Sequence, residues 1–508
     1  MSTAIQLDYG GFDPAFVGIT TSFSTRRAWE TFDSFLKSSD PIQPSSQSDD
    51  ERFEWLAVTS AVTHEVRHFH DFLLSPYSAR IFKLRVQAAI NLIQLLPHLL
   101  DETANCIPVP LPVWCGLADQ LRSRELSFLP ERKSGEPWVP VKLPFIPKLG
   151  LPRGFVHGSH ELWDKPVEVL LAAAAQAHER IREYTHNPRA TETGVSLQPW
   201  QVFELSAVLI QIQDVWHTYG AEETEFFLNY LLKGTCSPYG AVLQTCKLPW
   251  DRRGAAFDTR IASAMAFWSM CGSYEKDGWS ACPAVRFTSL LTNVASGKAR
   301  ASLRSELFAL FDEWSDVTSL SSVNEGLDET ARVYQKLMER VVELPIRFHE
   351  KMFSGDIEET VARVVGGVLE SSQRMIACVR ADPESYVLPD CYVSPRAANY
   401  VNPIVRHVFD GSGLTFTVPK SELEREGYRF EWLTTIGNRE VVVSMIRPFT
   451  LSKHAYLKAS DVSDYFTLVS LTDFLFARES RARRDVQLSG RSFFQKANLI
   501  PVELAQVA

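Results

Sequence analysis

The chain has 508 residues, of which 45% are hydrophobic, a length and composition that predict two or three folded domains. Its formal net charge of -9, from 52 basic and 61 acidic side chains, predicts no overall attraction to nucleic acid. We find no apolar run of the roughly 18 to 20 residues needed to span a bilayer and no basic, apolar leader, so we expect a cytoplasmic protein with no membrane partner.

Helical periodicity dominates the chain. It predicts a short helix over 26–37, a polar link over 38–50, and two long helices over 51–74 and 78–100. Prolines crowd residues 108–152, which predicts extended or irregular chain there. Further helices are predicted over 166–184, 199–216, 222–232, 253–271, 300–314, 324–343 and 356–379, and strands over 415–418, 428–434 and 440–446.

These patterns predict a mainly α, multidomain (α+β) protein. We expect an N-terminal segment and linker over 1–50, followed by a metal-binding helical domain over 51–250 with a Pro-rich insertion at 107–152. A second helical domain is predicted over 251–400, and a C-terminal α+β region over 401–508. The eight cysteines form no CxxC pair, and no Gly-rich phosphate loop occurs, so we predict neither a Cys-type zinc ribbon nor a nucleotide ligand.

The run His64-Glu65-Val66-Arg67-His68 lies within the predicted helix over 51–74. At about 100° per residue, His64 and His68 share one face of that helix, with the Glu65 carboxylate beside them. Two imidazoles one turn apart can bind one ion, and an adjacent carboxylate can act as a general base. The run therefore predicts a zinc site with its own base.

This motif resembles that of the zincin metallopeptidases, strictly over its five residues. The resemblance implies a zincin-like helical core in which His64 and His68 bind Zn²⁺ and Glu65 activates a water molecule that attacks a peptide carbonyl, most simply that of a protein partner. In the gluzincin branch, a Glu on a later helix supplies the third ligand. Two features depart from the families: Arg67 is charged where they mostly have an uncharged residue, and Asp71 stands where the metzincin branch has Gly.

The third ligand that we predict is Glu204, a carboxylate inside an otherwise apolar helix with small neighbours. A buried acid needs a partner, and a metal ion would supply it. Asp71 suits a role behind a ligand, accepting a hydrogen bond from an imidazole. The other carboxylates that could complete the site are Asp71, Glu161, Glu179 and Glu222.

Two residues at the end of the Glu204 helix, His217 and Tyr219, could stabilise an oxyanion in the transition state. Because His217 lies 13 residues beyond Glu204, about 20 Å along an unbroken helix, the chain would have to turn back for it to reach the ion. His70 points away from the His64 stripe, so we predict a histidine of the surface or core edge there.

Two alternatives remain open from the sequence. Glu-x-x-His pairs at Glu65/His68 and Glu183/His186, with a looser Asp214/His217 pair, are also typical of helical bundles that bind two iron or manganese ions and act as oxidoreductases. The long region after residue 250 would alternatively suit an interaction or regulatory protein, such as a bacterial conflict-system component, whose HExxH site is structural.

Overall fold

A computed structural model describes residues 10–13, 18–23, 25–37, 48–102, 181, 197–233, 238–252, 256–303, 306–342, 357–394, 400–409, 429–436 and 439–446. Outside these residues lie the Pro-rich insertion, the predicted strand over 415–418, nearly all of the predicted helix over 166–184, and Glu161, Glu179, Glu183 and His186. Among the described helices, none combines the length and the hydrophobicity that a membrane-spanning segment requires.

The described chain is mainly α, as predicted. Its α-helices are α1 Arg26–Lys37, α2 Asp49–Leu74, α3 Pro76–Glu102, α4 Pro199–Tyr219, α5 Ala221–Lys233, α6 Pro238–Arg252, α7 Thr259–Met270, α8 Tyr274–Asp277, α9 Pro283–Ala295, α10 Leu307–Thr318, α11 Val323–Val342, α12 Ile357–Ala381, α13 Pro383–Val387 and α14 Pro389–Tyr392. A 3₁₀-helix over Gly278–Ala281 follows α8. Helices α6 and α9 were not predicted, and α7 begins six residues later than expected because Asp258 caps its first turn.

Among the residues that the structure describes, five strands form one sheet: β1 Gly10–Asp13, β2 Gly18–Phe23, β3 Ile404–Phe409, β4 Arg429–Ile436 and β5 Arg439–Ile446. The strand order is β1-β2-β3-β5-β4, with β2 and β3 parallel and all other neighbours antiparallel. In the parallel pair Thr20 lies opposite Arg406, so the N-terminal segment and the C-terminal region share this sheet. The division into domains stays a prediction.

Helix α2 begins at a capping box. The Ser48 hydroxyl accepts from the Glu51 amide at 3.4 Å, and the Glu51 carboxylate accepts from the Ser48 amide at 3.1 Å. From Arg67 to Leu74 every residue of α2 is buried, so the last two turns of the helix are enclosed on all sides. On one side Phe12 of β1 packs on Phe72, with ring centroids 4.9 Å apart. A helix in this position must pair its polar groups inside the protein.

The C-terminus of α2 satisfies that requirement with hydroxyl groups. Its last carbonyls have no partner within the helix. The hydroxyl of Tyr334 donates to the Phe72 carbonyl at 3.1 Å, that of Ser372 to Leu73 at 2.6 Å, and that of Thr330 to Leu74 at 3.0 Å. Helices α11 and α12, which carry these hydroxyls, thereby hold the end of α2 in place.

Candidate metal centre

The centre lies between α2 and α4, which pack against each other in antiparallel directions. Helix α4 begins with a proline at its first position, and every residue from Leu205 to Ile212 is buried, most of them apolar. Glu204 is half-buried in this apolar surface, opposite the HExxH turn of α2. The small Ser206 and Ala207 that follow are fully buried.

Three donor atoms converge between the two helices. Oε2 of Glu204 lies 3.2 Å from Nε2 of His64 and 3.2 Å from Nε2 of His68, and the two Nε2 atoms are 3.1 Å apart. The side chains of both histidines are 9% exposed and that of Glu204 is 19% exposed, so the group is largely buried and Glu204 keeps part of its surface in contact with solvent. The structure therefore brings together the three residues that the sequence analysis selected as ligands.

This spacing fits one small cation. Ligand bonds of about 2.1 Å place neighbouring donors about 3.0 Å apart at 90° and about 3.4 Å apart at the tetrahedral angle. The three observed separations, 3.1 to 3.2 Å, lie inside that range. Two nitrogens and one carboxylate oxygen also form a donor set that suits zinc and other divalent transition metals, and leave coordination positions open.

The charge of the group favours a cation as well. Burial would raise the pKa of Glu204, but the imidazoles of His68 and His64 outweigh burial and hold that pKa well below its usual range. Burial opposes protonation of His68, yet the facing Glu204 carboxylate raises the pKa of His68. Glu204 therefore stays ionised and attracts positive charge to the point where the donor atoms meet.

A second layer of side chains, which the sequence analysis missed, holds His64. Its Nδ1 lies 3.1 Å from Oε1 of Gln211, and Nε2 of Gln211 lies 2.9 Å from Oγ of Ser60. A signal for Gln211 is present in the sequence, because it follows Glu204 by seven residues and so shares its face of an apolar helix. Ser60 likewise shares a face of α2 with His64, because it lies one turn before it.

Glu65, the predicted base, is buried at 5% exposure and directly follows His64 on α2. Arg67, also in the motif, is completely buried and points to a different set of partners. Its guanidinium pairs with Asp71 at 3.1 Å and donates to Oγ of Ser206 at 3.0 Å and to the carbonyl oxygen of Tyr386 at 2.6 Å. It also lies 4.0 Å from the ring centroid of Tyr386.

The position of Arg67 corrects the prediction for Asp71. The described hydrogen bonds of the Asp71 carboxylate go to Arg67 and to the hydroxyl of Tyr386, which donates at 2.6 Å, and neither imidazole of the centre is a partner. The physical reason is that a fully buried guanidinium requires a counter-ion, and Asp71 is the carboxylate one helical turn away. Gln211 occupies the position behind His64 instead.

His70 lies away from the centre, as predicted, but it is a core residue and not one of the surface or core edge. It is 2% exposed, with Nδ1 2.7 Å from the Tyr392 hydroxyl and Nε2 2.6 Å from the Val401 carbonyl oxygen. Because that carbonyl only accepts, Nε2 carries the proton and the hydroxyl of Tyr392 donates to Nδ1. Burial lowers the pKa of His70 to about 3.

His217 and Tyr219 do not reach the centre. Helix α4 continues unbroken to Tyr219, so these residues lie about 20 Å or more beyond Glu204 along its axis. His217 is exposed, and the Tyr219 ring packs on Trp55 with centroids 4.4 Å apart. The proposed role of both in the transition state is therefore wrong, because the chain makes no turn between Glu204 and them.

The described residues also limit the two-metal alternative. Asp214 and His217 are ten and thirteen residues beyond Glu204 on the same continuous helix, too far along its axis to share an ion with it. Across the described chain, His64, His68 and Glu204 form the one group of three or more His, Cys, Asp or Glu side chains that could hold a metal ion.

Comparisons with protein-family models, with curated proteins and with solved structures found no match for this chain.

Proposed function

We propose that the protein is a zinc-dependent hydrolase, in particular a metallopeptidase. His64, His68 and Glu204 hold the ion, and Glu65 acts as the general base. The observation that carries the proposal is the convergence of the three donor atoms to within 3.2 Å of one another across two helices. The HExxH order adds to it, because a carboxylate that follows the first ligand is available as a base at the same site.

A zinc ion with three protein ligands supplies an open position for water and a Lewis acid for a carbonyl group. The protein groups do the rest. His64 and His68 bind as neutral imidazoles through Nε2. Glu65 accepts the proton of the attacking water at its carboxylate and returns it to the nitrogen of the leaving amine. Burial of these groups strengthens the electrostatic interactions among them.

The substrate class in this proposal is a protein or peptide. Its basis is the resemblance of the motif to that of the zincins, together with the long helical and strand-containing region after residue 250, which offers surface for a regulatory or substrate protein. Neither a nucleotide nor a membrane enters the proposal, and the negative net charge of -9 disfavours nucleic acid.

The same donor set supports a second candidate, an oxidoreductase with one ferrous ion. Two histidines and one carboxylate on a single face of the ion are typical of non-haem iron oxygenases. The donor separations of 3.1 to 3.2 Å are as close to the value for 90° angles, about 3.0 Å, as to the tetrahedral value. Glu65 has no assigned role in that chemistry, which is why we place the hydrolase first.

Two variants test the proposal. In Glu65→Gln the ligands are intact, so we expect one equivalent of zinc as in the wild type but no cleavage of a fluorescence-quenched peptide library. In His64→Ala we expect loss of both metal and cleavage. Cleavage that survives in Glu65→Gln would contradict the role of the base, and one iron with oxygen consumption would favour the second candidate.

A further inference from the structure

We infer that Gln211, supported by Ser60, is a positioning residue that fixes the ring and the tautomer of His64 for metal binding. The inference rests on the proposed metal centre, which requires a free lone pair on Nε2 of His64. Gln211, Ser60 and His64 are all buried residues, at 9%, 1% and 7% exposure respectively. They form one chain of hydrogen bonds that joins α2 to α4.

The direction of each bond follows from the available protons. Oγ of Ser60 lies 2.6 Å from the carbonyl oxygen of Leu56, which only accepts, so the single hydroxyl proton goes there. Ser60 must then accept from the amide nitrogen of Gln211 at 2.9 Å. This orientation turns the amide oxygen of Gln211 toward His64, and Nδ1 of His64 carries the proton.

The lone pair of the neutral His64 ring therefore resides on Nε2. That atom faces Oε2 of Glu204 at 3.2 Å and Nε2 of His68 at 3.1 Å. In the opposite tautomer, an Nε2 proton would bond directly to Glu204 and close the site without an ion. The amide oxygen of Gln211 requires a hydrogen-bond donor, which keeps the proton of His64 on Nδ1. Gln211 therefore opposes the closed arrangement and leaves the lone pair of Nε2 for a metal ion.

A pair of substitutions separates this role from simple packing. Gln211→Glu keeps an acceptor for Nδ1 of His64, whereas Gln211→Met keeps the size of the side chain and removes the acceptor. If Gln211 positions His64, zinc affinity falls about 10- to 100-fold in Gln211→Met and stays within about threefold of the wild type in Gln211→Glu. If Gln211 only fills space, the order of the two zinc affinities is reversed, because methionine fills the same space whereas glutamate buries a charge.

Zinc affinity is measured by competition with a chromophoric chelator, and folding by circular dichroism. Gln213→Met is the matched control, since Gln213 lies two residues further along α4 and is half-buried; it should bind zinc as the wild type does. Equal affinity in Gln211→Met and the wild type, or a larger loss in Gln211→Glu than in Gln211→Met, would overturn the inference.

The tautomer itself is read in the metal-free protein. With ¹⁵N-labelled histidine at pH 8.5, the resonances absent from His64→Gln belong to His64. We expect a protonated Nδ1 in the wild type and a protonated Nε2 in Gln211→Met. A protonated Nε2 in the wild type would overturn the inference. A wild type that binds no zinc contradicts the proposed function instead, because this spectrum does not depend on the metal.

Discussion

Oε2 of Glu204 lies 3.2 Å from Nε2 of His68, although 136 residues separate the two in the chain. The contact joins α4 to α2 inside an apolar interface where an isolated carboxylate would be costly. The same oxygen lies 3.2 Å from Nε2 of His64. This three-way contact is the geometric basis of the proposed metal centre.

The first prediction concerns the third ligand. Glu204→Gln removes the negative charge and the carboxylate oxygen, so we expect zinc affinity to fall by at least about 100-fold, more than loss of an outer partner causes. The control is Glu222→Gln, which changes a carboxylate that is 90% exposed and should leave affinity unchanged. Both are measured by the chelator competition. Equal affinities in the two variants would show that Glu204 is not a ligand.

The second prediction concerns the buried charge pair. Arg67→Met leaves the Asp71 carboxylate, which is 1% exposed, without its cation, so we expect the free energy of unfolding to fall by about 3–5 kcal/mol. Arg332→Met, at a pair with Glu275 whose side chains are 47% and 41% exposed, should cost less than about 1 kcal/mol. Urea unfolding followed by tryptophan fluorescence measures both. Similar costs would mean that Arg67 contributes no more than a surface ion pair.

The third prediction concerns a close approach of two backbones. A Cβ atom added at Gly326 of α11 would overlap the carbonyl group of Cys271. Relief of this overlap requires the backbone to move, which costs more than the rotation of a side chain. We expect Gly326→Ala to lower stability by about 1–3 kcal/mol. At Gly366 of α12 the added atom would meet the Met338 side chain at 3.6 Å, an ordinary contact, so Gly366→Ala should raise stability by about 0.5–1 kcal/mol. Thermal unfolding of the pair tests this, and the reverse order would contradict the packing of α11.

The fourth prediction concerns pH. Burial, aided by the Arg67 charge and opposed by the Val401 carbonyl, lowers the pKa of His70 to about 3, against about 6.5 in an unfolded chain. Between about pH 3 and pH 6.5 the unfolded chain binds a proton at His70 that the folded protein does not bind. The contribution of the neutral His70 to stability is therefore fully present above about pH 6.5 and is lost as the pH falls toward 3. Three tyrosines, Tyr386, Tyr392 and Tyr400, complete the surroundings of the ring.

The test compares unfolding of the metal-free wild type with that of His70→Gln, in which an amide replaces the imidazole and does not titrate. As the pH falls from 6.5 toward 3, the free energy of unfolding should decrease more steeply in the wild type than in His70→Gln, by up to about 1.4 kcal/mol per pH unit. His217→Gln changes an exposed histidine and should follow the wild type. Parallel curves for all three proteins would show that His70 is not held neutral in the core.

The local parts of the centre could be predicted from the sequence. His64 and His68 are one helical turn apart, and a helix fixes that relation without any other part of the chain. Glu204 could be selected because an acid in an apolar helix requires a partner. Helix α1 also begins and ends as predicted, since its pattern and its flanking polar link are both local.

Other parts depend on residues far away in the chain. The partners of Asp71 and His70 include Tyr386 and Tyr392, more than 300 residues later, so no spacing rule identifies them. Strand β2 pairs with β3 across most of the chain in the same way. Short strands such as β1, with four residues, also give too little alternation to be recognised.

The most direct test of the central claim is the metal content of the purified protein combined with X-ray absorption at the metal edge. We predict one zinc ion per chain, with two imidazole nitrogens and one carboxylate oxygen at about 2.0–2.1 Å and at least one further light atom. The same spectrum in Glu204→Gln should lose the carboxylate oxygen. Two irons per chain, or no bound metal after loading with zinc, would contradict the account.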